Sequence, residues 1–132
     1  MSGFKALVFG LLATPVWAET PMSGAEFDAF VTGKTFSFAR EGVVFGTESY
    51  RAKGRLIWLG ADGLCLAGSW IADAGEICFI YDADGTGIPR VCAQVEARGA
   101  GLRAAERGGG EVVGLPVAAQ DMSACTGPAL GA

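Results

Sequence analysis

From Thr35 onward the chain reads as short apolar runs, several alternating with polar residues, each closed by a turn glycine. Gly42, Gly54, Gly63, Gly75, Gly85, Gly99 and Gly109 are spaced nine to fourteen residues apart and divide residues 35–40, 43–51, 55–59, 64–71, 76–82, 90–98, 102–107 and 111–118 into eight candidate strands. Asp62-Gly63 and Asp84-Gly85 are hairpin-type dipeptides. The expected fold is mainly β: an antiparallel meander of about eight strands closing as a small barrel or sandwich. A barrel is favoured because closure leaves no exposed strand edge.

A short helix precedes the meander. Ser23 and Glu26 have capping-box spacing, Phe27, Phe30 and Val31 then share one face, and Gly33 can end the helix. A helix this short is held by what its apolar face buries, so Phe27 and Phe30 should pack on the rest of the domain.

The three central runs show which side faces inward. A loop centred on Gly85 sets residues 76–82 against 90–98, so that Cys78 stands opposite Cys92, within reach of a direct bridge. Ile77, Phe79, Tyr81, Val91 and Val95 then share one face, joined by Leu64, Leu66 and Trp70 of the preceding run, and this face is the expected core. The cysteines fall on the other face with Ala67, Ser69, Asp82, Gln94 and Glu96, a surface polar enough to meet solvent. Cys65 shares that side, which leaves Cys125, on a small-residue tail that must fold back over the sheet, as its partner. Two disulfides, Cys78 to Cys92 and Cys65 to Cys125, are expected.

Residues 1–18 read as a signal peptide rather than as structure. Lys5 supplies the positive charge, residues 6–13 the apolar run, and Val16-Trp17-Ala18 a cleavage site before Glu19. Residues 19–132 then form a single disulfide-stapled β-domain, periplasmic or secreted, with no stable membrane insertion after cleavage. Without Lys5, nine basic residues face fourteen acidic ones, a net charge of −5. Such a surface repels phosphate backbones, which argues against nucleic acid as a partner.

The chain has no histidine, which excludes Ser-His-Asp and Cys-His chemistry. No two cysteines lie closer than 13 positions, so neither a structural zinc site nor a Cys-x-x-Cys redox site is expected. Asp82-Ala83-Asp84-Gly85-Thr86-Gly87 opens like a calcium loop, but its glycine comes too early and Ala93 stands where a glutamate is needed. A hairpin loop accounts for it, and no cofactor is expected. Gly68-Ser69-Trp70 is similar to the Gly-x-Trp of lipocalins, which implies an apolar ligand in a barrel mouth, although in lipocalins that motif opens the first strand and here it falls mid-domain. Trp58, Trp70, Phe79 and Tyr81 are the candidate ligand-lining aromatics, with core packing as the plainer role.

Gly33-Lys34-Thr35 after a short helix, Gly68 to Trp70, Ile77-Cys78-Phe79-x-Tyr81 and Cys92 together resemble small uncharacterised exported proteins of alphaproteobacteria. The resemblance spans about residues 27–92 and implies a signal-peptide-bearing β-domain whose central cysteines bracket a hairpin. It carries no activity.

The functional expectation is a non-enzymatic periplasmic binding or interaction module that recognises a small molecule or an envelope protein. One alternative is a lysozyme-inhibitor-like periplasmic protein. The other is a carboxylate-based hydrolase, which needs two acids converging in a pocket.

Overall fold

Ser23 starts the helix. Its backbone is extended (φ −67°, ψ 168°) and its hydroxyl accepts from the Glu26 N–H at 3.2 Å, while the Glu26 carboxylate accepts from the Ser23 N–H at 3.1 Å. Those bonds hold the exposed Glu26 carboxyl below its usual range. The resulting helix α1, Gly24–Val31, ends at Gly33, whose φ of +83° favours glycine. The computed structural model describes residue 3 and residues 20–81 and 89–125. Apart from residue 3, the segment expected to be a signal peptide lies outside the described residues, as do the Asp82 to Gly87 loop and the end of the tail.

Eight antiparallel strands follow in chain order: β1 Thr35–Arg40, β2 Val43–Arg51, β3 Arg55–Gly60, β4 Cys65–Asp73, β5 Glu76–Tyr81, β6 Val91–Arg98, β7 Gly101–Glu106 and β8 Glu111–Val117. Each pairs with its neighbours, and β1 pairs with β8, so the sheet closes as a barrel. Of the two architectures expected, the barrel is the one formed. The β1–β2 and β4–β5 loops have two residues each, Glu41-Gly42 and Ala74-Gly75, all with positive φ. That is the backbone of type I′ turns, whose twist matches that of the flanking strands.

Alternation places one side of every strand inside. Phe36, Tyr50, Leu56, Leu66, Ile77, Ala93, Val95, Leu102 and Val112 form the buried interior, and Phe27 and Val31 of α1 join it with no exposure at all. The helix covers one end of the barrel. Phe27 meets the rings of Tyr50, Trp70 and Phe79 edge-on at 4.9–6.1 Å, and the Met22 N–H donates to the Val95 carbonyl at 2.7 Å. Leu64 departs from the expected core. It is 48% exposed because β4 starts one residue later, leaving Leu64 in a turn where its N–H donates to the Asp62 carboxylate.

Both disulfides form as expected. The β5–β6 register sets Ile77 opposite Ala93, Cys78 opposite Cys92 and Phe79 opposite Val91, and Cys78 is bonded to Cys92 across it. With three registered pairs this is the shortest ladder among the described residues, so the covalent link crosses the seam with the fewest backbone bonds. Cys65 is bonded to Cys125. This bridge pins the short 3-10 turn Ala119–Met122 to the outside of the barrel, where Met122 and Cys125 bury Ile57. The outer face is therefore drier than its composition implied: Cys78, Cys125 and Ile57 are all at most 3% exposed.

In the chain-entropy account a cross-link stabilises by closing a loop in the unfolded chain. With sequence separations of 14 and 60, replacing Cys78 and Cys92 together by serine should cost about 3 kcal/mol, and replacing Cys65 and Cys125 about 4 kcal/mol. Urea unfolding of the two double variants against the oxidised wild type measures both, and the second loss should exceed the first.

Candidate functional site

Two kinds of strand line the interior. The inner positions of β1, β2, β3 and β5 carry large rings: Phe38, Tyr50, Trp58, Phe79 and Tyr81, with Phe45 beside them. Those of β6, β7 and β8 carry Val91, Ala93, Val95, Leu102, Ala104 and Val112. An eight-stranded barrel is just wide enough for its own side chains to fill or for one small ligand. Here the aliphatic wall is too small to meet the aromatic one, and a cavity of about 350 Å³ lies between them.

Glycine seats the aromatic wall. A Cβ on Gly46 would stand 1.9 Å from the Trp58 ring, so only glycine lets the indole lie flat across β2. Trp58 then approaches Phe38, Phe45 and Tyr81 with ring centroids 5.6–6.4 Å apart. Phe27 of α1 lines the end that the helix covers. Arg40 and Glu106, the last residues of β1 and β7, line the opposite end and are joined by a 2.7 Å ion pair, with the Arg40 guanidinium 5.2 Å from the Phe45 ring centre.

One carboxyl lies within this apolar chamber. Glu48, on β2 between Gly46 and Tyr50, is 2% exposed and lines the cavity. The Tyr81 hydroxyl donates to its carboxylate at 2.9 Å, and the Tyr50 hydroxyl donates as well. Burial pushes the Glu48 carboxyl up to about 7, and the two phenol hydrogen bonds only partly oppose that rise. Burial and the neighbouring Glu48 charge hold both phenols well above their usual range, so they stay protonated as donors.

The candidate aromatics separate. Trp58, Phe79 and Tyr81 line the cavity, whereas Trp70 packs on Phe27 at 4.9 Å at the helix end and is not among the lining residues. Sequence reasoning missed Glu48, Phe38, Phe45 and the Arg40–Glu106 pair. The signal for Glu48 was present in β2, where alternation puts Glu48 on the same side as Tyr50, a ring the core must bury. Among the described residues no cluster of three or more acidic or cysteine side chains is placed to hold a metal ion, and no helix is long and apolar enough to cross a membrane.

These features define an eight-stranded antiparallel barrel with an aromatic chamber around one buried carboxyl. Compared with known proteins, the chain matches no family model, no curated protein and no solved structure.

Glu48 gives the fold a pH dependence of definite sign. A carboxyl that holds its proton more tightly folded than unfolded favours the fold fully below the unfolded value of 4.5 and loses that contribution as pH rises to about 7. The loss across that window is roughly 3 kcal/mol, from the free energy per unit of pKa difference. Glu48→Gln removes the titrating group and should be the more stable protein at pH 8, with the gap closing towards pH 4. Urea midpoints of the two proteins across that range test this, and their difference cancels Glu26, which titrates with the opposite sign.

Proposed function

We propose that this protein is a non-enzymatic binding module that takes one small, largely apolar molecule into its barrel, in the periplasm or outside the cell. The carrying observation is the cavity of about 350 Å³, walled by Phe38, Phe45, Trp58, Phe79 and Tyr81 and holding Glu48 as its buried polar group. Small-molecule sites span roughly 300–1,000 Å³ and pair an apolar lining with a few placed polar groups, and this cavity meets that description near its lower limit. Two disulfides fit an oxidising, non-cytoplasmic compartment. The signal-like residues 1–18 support export, to the periplasm or beyond. A carboxylate-based hydrolase is less well supported, because Glu106, the second acid lining the cavity, is engaged by Arg40.

Thermal unfolding against a panel of small aromatic and alicyclic compounds tests the reading. A ligand at 100 times its dissociation constant should add about 2.7 kcal/mol, a shift of several degrees for a domain of this size. Ala104→Phe projects a ring into the cavity from β7 and should abolish the shift while leaving the barrel folded. Shifts that survive this substitution would move binding away from the interior, and a panel without any shift would overturn the reading.

A further inference from the structure

We propose that the ligand is an amine: an apolar, ring-sized body bearing one protonated nitrogen that docks against the Glu48 carboxylate. The inference rests on the binding role proposed above and deepens it to a chemical class. Glu48 is 2% exposed, lines the cavity, and its bonding partners are the phenol hydroxyls of Tyr50 and Tyr81. Phenols satisfy oxygen lone pairs but bring no positive charge. The cation lining the same cavity, Arg40, stands at its far end, bonded to Glu106 at 2.7 Å. The charged and titratable side chains lining the chamber are therefore Glu48, Tyr50, Tyr81, Arg40 and Glu106, and among the described residues none puts a positive charge on Glu48.

A buried carboxylate without a counter-charge is costly, and a cation delivered into the same low-dielectric space relieves that cost. The surrounding rings favour the same guest. Trp58, Phe79 and Tyr81 line the same cavity as the carboxyl, and aromatic faces attract an ammonium that has left water. A neutral guest gains the apolar contact but leaves the ionised carboxylate uncompensated, and an anionic guest is repelled.

Three probes of nearly the same shape separate charge from hydrophobic fit: 1-naphthylmethylamine, 1-naphthalenemethanol and 1-naphthoic acid, titrated calorimetrically into the full protein at pH 7. The amine should bind at least about tenfold more tightly than the alcohol, the difference a charge-assisted bond supplies, and the acid most weakly. Glu48→Gln should bring the amine down to the affinity of the alcohol. Amine binding should also release a fraction of a proton in wild type, because a carboxyl pushed up to about 7 is partly protonated at that pH and becomes ionised in the pair. Heats measured in two buffers of different ionisation enthalpy read this release, which a purely steric effect of Glu48 would not produce. Equal affinities for amine and alcohol, or an amine preference that survives Glu48→Gln, overturn the proposal and leave the binding role standing. If none of the probes binds, the cavity reading fails together with it.

Discussion

The structure depends on one seam, the ladder between β1 and β8, where five residue pairs join the first strand to the last. Before that seam forms, the sheet has two open edges and either face could meet water. Once it forms, every strand has an inside and an outside, and strand alternation decides the fate of each residue. Tyr50 and Ile77 become core by this rule, and so does Glu48, which no intrinsic preference would place in an apolar interior. The buried carboxyl follows from closure together with the phase of β2.

Closure also explains why a cavity persists. The inside of a barrel has a volume set by strand number and tilt, and the side chains can fill it only if their sizes match. The rings of β1, β2, β3 and β5 would meet across the axis if β6, β7 and β8 answered with leucines and phenylalanines. Ala93 and Ala104 answer instead, and α1 fills one end with Phe27 and Val31 while leaving the centre. Vacant volume and an ionisable group both weaken a small domain. The two disulfides offset this from outside the chamber, one across the shortest ladder and one pinning the tail, so neither occupies the space that the aromatic wall encloses.

Much of the backbone was legible in the sequence, because its signals are local. Turn glycines and apolar alternation located all eight strands to within two residues at each end, and the capping pair Ser23 and Glu26 located α1. The Cys78–Cys92 register followed from a single hairpin centre. The site was much less legible, because a cavity is a difference between volumes contributed by strands distant in the chain. Trp58, Phe79 and Tyr81 were visible as large rings, but nothing local distinguishes them from Trp70, whose place against Phe27 depends on where the helix docks. The outer face was misjudged for a similar reason: Ile57 and Cys125 are covered by a tail whose path only the Cys65 bridge defines.

Glu48 stands where barrel closure, cavity and electrostatics meet. A protein under selection only for stability would gain by replacing a carboxyl whose ionisation burial opposes inside an aromatic chamber, and glutamine would keep the shape at much lower cost. The two phenols show that the local structure is instead arranged around this group. Tyr50 and Tyr81 come from strands that are not neighbours in the barrel, yet both direct their hydroxyls to the same carboxylate. Their hydrogen bonds favour the ionised form that burial opposes, holding the group where a modest change in its surroundings decides its charge. Under the binding role proposed above, a carboxyl so poised inside the cavity would couple occupancy to protonation, and that coupling would give the destabilising residue a reason to be there.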